Sequence, residues 1–166
     1  MKKHVSLFLF IFLSAAFLAG SINAQGKYGV VGKKFKKQEA DALFGKVITS
    51  VKVNKVALQY AVGRAGDYIY FKVKNNRAFV LNDKRVSILN ETDSFNPKER
   101  LSSVTSGIPA LPANEVVYAL SKSTVAEFLN SSTSDVITIE NRAEVLSISD
   151  GEIVLEKSVP CPPWCE

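Results

Sequence analysis

Histidine, methionine, tryptophan and cysteine are scarce in this chain of 166 residues, which holds one His, one Met, one Trp and two Cys. The single His4 and the single Met1 both lie in an N-terminal stretch with the features of an export leader. Lys2 and Lys3 open it, an apolar run follows from Val5 to Ala19, and small residues lead to Ala24. The run is roughly fifteen residues, shorter than the ~20 a membrane-spanning helix needs, which favours a cleaved signal over an anchor. Cleavage is expected between Ala24 and Gln25, with no membrane span afterwards. The Met-Lys-Lys opening resembles bacterial leaders, so the expected destination is the periplasm or the exterior.

Loss of residues 1–24 leaves a protein without histidine. That excludes a Ser-His-Asp triad, a Cys-His pair and any His-containing zinc or copper site. Other signatures are missing too. There is no S-x-x-K and no G-x-S-x-G nucleophile elbow. Gly26, Gly29 and Gly32 are evenly spaced, but no strand precedes them, so they do not form a dinucleotide fingerprint. Nothing calls for a cofactor.

The remaining composition is that of a folded protein, with 22% charged and 46% hydrophobic residues. Its charge is uneven. From Lys27 to Lys55 eight Lys oppose Glu39 and Asp41, whereas from Glu115 to Glu166 three basic residues oppose nine acidic ones. The net excess is small, so no nucleic-acid partner is expected, and the two ends are expected to compensate each other within one fold. The densest basic cluster, Lys33, Lys34, Lys36 and Lys37 around Phe35, is a candidate contact for a partner or simply a solvated arm.

Residues 25–34 are Gly-rich at their start and read as a mobile lead-in. Lys36 to Phe44 reads as a short helix ended by Gly45. Strands are expected at Val47–Val53, Val56–Val62, Tyr68–Lys74, Ala78–Leu81 and Arg85–Leu89, separated by Asn, Asp and Gly turns. Ile69, Phe71 and Val73 should be buried, with Tyr68, Tyr70 and Lys72 on the opposite side. Residues 90–114 read as loop with one short strand at Leu101–Thr105. A strand at Val116–Leu120 follows. Thr124-Val125-Ala126-Glu127 has the form of a capping box and should open a second helix. Val136–Glu140, Ala143–Ile148 and Ile153–Glu156 complete the strands, the last two joined through a Ser149-Asp150-Gly151 turn. The expected fold is α+β: a mostly antiparallel sheet of about eight short strands in hairpins and meanders, with two short helices, over residues 35–157. Both parts run short helix then meander, but the sequences match too loosely to define a repeat.

The tail, residues 158–166, ends Cys161-Pro162-Pro163-Trp164-Cys165-Glu166. In an exported protein two lone cysteines most simply pair with each other. An intermolecular bond, a redox dithiol and a thiolate metal site are the alternatives. A closed ring would hold Trp164 as a rigid knob, a candidate partner anchor. In the alternative arrangement Trp164 folds back and plugs a groove in the domain. Glu140 and Glu144, beside the Asn141-Arg142 turn, are the candidate carboxylates for acid–base work, with solvated hairpin residues as the alternative. Asn90-Glu91-Thr92 and Asn130-Ser131-Ser132 match glycosylation acceptors, relevant only to a eukaryotic source.

Gln59-Tyr60-Ala61-Val62-Gly63 is similar to the Q-x-V-x-G loop of cystatin-type protease inhibitors, and Pro163-Trp164 to their second-loop Pro-Trp. The resemblance spans seven residues, with Ala61 in place of the usual Val, and implies an inhibitory wedge built on an extended loop. The leading functional expectation is an exported, non-enzymatic domain that binds a protein or another cell-envelope component. A small carboxylate-dependent hydrolase or a protease inhibitor is the alternative.

Overall fold

A computed structural model describes residues 29–92, 115–143, 145–156 and 158–161. The signal segment, the Leu101–Thr105 strand, Glu144, Trp164 and Cys165 lie outside the described residues. Among those described, ten strands form two five-stranded antiparallel sheets, with three helices. The α+β class and the antiparallel pairing are as the sequence implies. The strands number ten rather than eight, and the helices three rather than two.

In chain order the elements are β1 (Lys33–Lys36), α1 (Lys37–Phe44), β2 (Thr49–Asn54), α2 (Lys55–Arg64), β3 (Tyr68–Lys74), β4 (Arg77–Leu81), β5 (Ser87–Thr92), β6 (Val117–Ser121), α3 (Lys122–Ser131), β7 (Val136–Asn141), β8 (Leu146–Ser149), β9 (Ile153–Glu156) and β10 (Val159–Cys161). The first sheet has the order β1-β9-β8-β7-β2 and the second β10-β6-β3-β4-β5.

This order reveals a duplication with exchanged strands. The unit β2-α2-β3-β4-β5 matches β6-α3-β7-β8-β9, but each unit's first strand pairs in the other unit's sheet. Tyr68, Ile69 and Tyr70 of β3 face Ser121, Leu120 and Ala119 of β6. Correspondingly, Val136, Ile137 and Thr138 of β7 face Asn54, Val53 and Lys52 of β2. Both internal helices are ten residues long and pack on each other. The junctions match as well. The Lys55 N–H donates to Asp135 O, and the Lys122 N–H donates to Asp67 O, each at 2.9 Å. The two side chains cross over: Lys55 Nζ reaches Ser132 O at 2.7 Å, and Lys122 Nζ reaches Ala65 O at 2.9 Å. Ser132 and Ala65 are the C-caps of α3 and α2. A lysine at its own helix's first position is unfavourable, but here each cation sits at the negative end of the other helix.

The residues 56–62 expected as a strand are helical. Val56, Leu58, Tyr60 and Val62 alternate, yet the same stretch buries Ala57, Leu58, Ala61 and Val62, one face of a helix. Asn54 decides between the two: its Oδ1 accepts from the N–H of Val56 at 2.8 Å and of Ala57 at 3.2 Å, an N-cap that starts the helix. Val56 and Tyr60 are left at the surface. The expected capping box at Thr124 is displaced for a similar local reason. The helix α3 starts two residues earlier, with Ser121 at the cap and no side-chain cap bond. The Ser121 hydroxyl is already engaged, accepting from Val31 N–H at 2.6 Å.

That contact also tethers part of the expected lead-in. Val31 is buried and its carbonyl accepts from Ser121 N–H. Gly32, at φ 116°, lies so close to Leu120, Thr124 and Leu155 that an added Cβ would sit 3.2–3.3 Å from them. The chain then enters β1, which pairs with β9 from Lys33↔Glu156 to Lys36↔Ile153. Residues 29–34 are therefore docked on the domain rather than leading into it.

The core joins both sheets and the two internal helices. It includes Val51, Val53, Leu58, Ile69, Phe71, Val80, Phe128, Leu129, Ile139 and Ile148. Ile69 and Phe71 are fully buried and Val73 packs half-buried beside them, as the alternation implies. Tyr68 is also buried, so its side of β3 is not simply solvated, and its hydroxyl donates to Gly29 O. Asn75 and Asn76, both at positive φ (52° and 56°), make the tight β3–β4 turn. Gly151 (φ 102°) and Asp150 make the β8–β9 turn, where the Asp150 carboxylate accepts from the N–H of Glu152 and Ile153.

Candidate functional site

The basic cluster is largely absorbed by the fold. Lys33 and Lys36 are exposed on edge strand β1, and Lys33 Nζ lies 5.3 Å from the Phe35 ring centroid. Phe35 turns inward against Ala40, Val154 and Phe44. Lys34 pairs with Glu127 of α3 at 2.7 Å, and Lys37 with Asp41 one turn along α1. Lysines on an exposed edge also discourage strand addition by another chain.

The outer face of the first sheet carries α1 over a buried ionic cluster. Arg142 follows β7 directly and its side chain is wholly buried. Its Nε donates to Ser147 Oγ at 3.2 Å, and Nη2 to Glu140 Oε2 at 3.0 Å. Its Nη1 donates to Asp41 Oδ1 at 2.8 Å and to the carbonyl of Gly45. One guanidinium thus locks the end of α1 to β7 and β8. The Arg142 hydrogen bond holds the Asp41 carboxyl below its ordinary range, helped by Lys37 against a smaller cost of burial. Glu140 is therefore not a solvated hairpin residue. It is also a poor general acid or base, because Arg142 and Ser147 both bind the same carboxylate oxygen.

A cleft of about 350 Å³ opens at one end of the two sheets. Ile48 and Thr49 come from the approach to β2, Lys72 and Val73 from β3, Val116 and Tyr118 from β6, and Asn141 to Ala143 from the end of β7. Asn141 Nδ2 bridges the sheets, donating to Thr49 Oγ1 at 3.3 Å and to Val73 O at 3.5 Å. The lips are apolar and open: Ile48 is 68% exposed and Val116 42%. The rim is basic. Lys72 and Lys74 approach the same oxygen of Glu115 at 3.2 and 2.6 Å, and Arg85 donates to the Glu115 carbonyl. The Lys74 hydrogen bond holds the Glu115 carboxyl below its ordinary range, with Lys72 adding to it against desolvation. Three cations therefore face one carboxylate. Among the described residues, no carboxylate, cysteine or histidine lines the cleft, and no group of three metal-ligating side chains exists.

Sequence reading did not find this cleft. Its parts come from four strand ends that only the exchanged pairing brings together. The Q-x-V-x-G-like residues 59–63 lie within α2, so they do not form the extended loop that the cystatin resemblance implies. Cys161 is fully buried in β10, which pairs with β6. The tail thus begins inside the second sheet, and a cut after Ser158 would remove an edge strand.

The fold defines a two-sheet α+β protein with a strand-exchanged internal duplication. Comparison with family models, curated proteins and solved structures gives no match.

Proposed function

We propose that this is an exported, non-enzymatic domain that binds a protein of the cell envelope through the cleft at the end of its two sheets. The observation that carries the reading is the cleft's chemistry: apolar open lips at Ile48 and Val116, a basic rim, and no acid–base pair in its lining. A concave apolar surface with a few fixed polar groups is the usual form of a recognition site. The basic rim favours an apolar side chain flanked by acidic residues. Export rests on the leader, with Gln25 as the expected mature N-terminus and Cys161 and Cys165 paired in the oxidising compartment.

Affinity capture from an envelope extract tests the reading, using the mature protein and an Ile48→Asp variant. Ile48 is exposed and only its backbone is hydrogen-bonded, so the variant should fold normally. The wild-type protein should retain a partner that the variant loses. Equal capture by both removes the cleft from recognition. Intact mass of exported material should begin at Gln25.

A further inference from the structure

The outer face of the second sheet carries a buried apolar patch made of that sheet alone. Register places Leu81, Tyr70, Ala119 and Val159 in one row across β4, β3, β6 and β10. Val117 and Cys161 are paired two residues along, on the same side. Leu81, Val117 and Cys161 are 0% exposed and Ala119 1%. The described residues packed against them are Tyr70 and Phe79, themselves in β3 and β4. A sheet face exposes its side chains unless another layer lies over it. Small residues on the central strand beside two large aromatics leave a hollow rather than a ridge.

We infer that the segment 162–166 is that cover, and that Trp164 packs into the hollow over Val117 and Ala119. Three observations select this segment. Cys161 belongs to the patch, so the segment emerges from the patch itself. Trp164 follows three residues later, within about 10 Å of extended chain. Its flanking residues, Pro162, Pro163 and Cys165, are compact and apolar, as the lid over an apolar hollow must be. A bond from Cys165 to Cys161, whose side chain is on this face, would hold the ring over the patch. Trp164 is then a structural lid rather than an exposed anchor, and recognition is left to the cleft.

Trp164 is the only tryptophan, so intrinsic fluorescence of the full mature chain reports on it alone. Its emission should be blue-shifted, and acrylamide quenching severalfold weaker, relative to a free peptide of residues 160–166. Trp164→Ala should lower the melting temperature and increase binding of a hydrophobic dye, while Trp164→Phe restores both in large part. Emission and quenching equal to those of the free peptide overturn the inference. So does a Trp164→Ala variant whose melting temperature and dye binding are unchanged.

Discussion

Arg142→Met should be among the most damaging single changes outside the hydrophobic core. The substitution keeps much of the side chain's volume but removes every donor of the guanidinium. Glu140, whose side chain is 7% exposed, then keeps only Ser147 Oγ at 3.3 Å. Breaking a buried ion pair by removing one partner costs about 3–5 kcal/mol, because the surviving charge stays buried and unpaired. Asp41 is exposed enough for water to replace its lost partner, so it adds little. Urea unfolding reads the loss directly. With a slope of about 1–3 kcal/mol per molar, the midpoint should fall by roughly one molar or more. The double variant Arg142→Met, Glu140→Leu removes both charges and should recover most of the loss. Amide exchange along α1 should stay fast in both variants, because Asp41 and Gly45 remain untied. A cost below about 1 kcal/mol for the single variant, or a double variant as poor as the sum of the singles, would refute the claim that one buried cation holds this layer together.

Phe71→Ala should lose about 3–5 kcal/mol in the same assay, since Phe71 is fully buried in the shared core; a near-zero loss would show that the facing of β3 is wrong. Asn54→Ala should lose about 1 kcal/mol by removing the α2 cap, whereas Asn54→Asp should be close to neutral; thermal melts of the three proteins would rank them. Asp41 and Glu115 have carboxyls held below their ordinary values, so the unfolded chain binds more protons than the native one in acid. Their contribution is present above the unfolded carboxylate range, about pH 4, and is lost as pH falls through the lower native values. Asp41→Asn and Glu115→Gln should each flatten the acid limb of a stability–pH curve; an unchanged limb would show that these pairs contribute nothing to it.

Much of this architecture is legible in the sequence, because period-two alternation and turn chemistry are local. The segment Tyr68–Lys74, its Asn75-Asn76 turn and the Asp150-Gly151 turn all follow from their own residues. A short apolar run does not choose between helix and strand by itself. Residues 56–62 satisfy both patterns, and packing against α3 together with the Asn54 cap selects the helix. The duplication was hidden because its two copies share positions and burial rather than residues: Asn54 corresponds to Ser121, and Ala61 to Phe128. The cleft and the Arg142 cluster were hidden for a different reason. Each joins side chains distant in the chain, Asp41 with Arg142 and Ile48 with Val116, and local pattern carries no information on which strands will pair. By itself the sequence determined the export leader's form, the absence of histidine chemistry and the antiparallel α+β character. Tertiary structure alone decided that the first strands are exchanged, because that pairing buries Val51, Val53, Leu120 and Ile137 in one core.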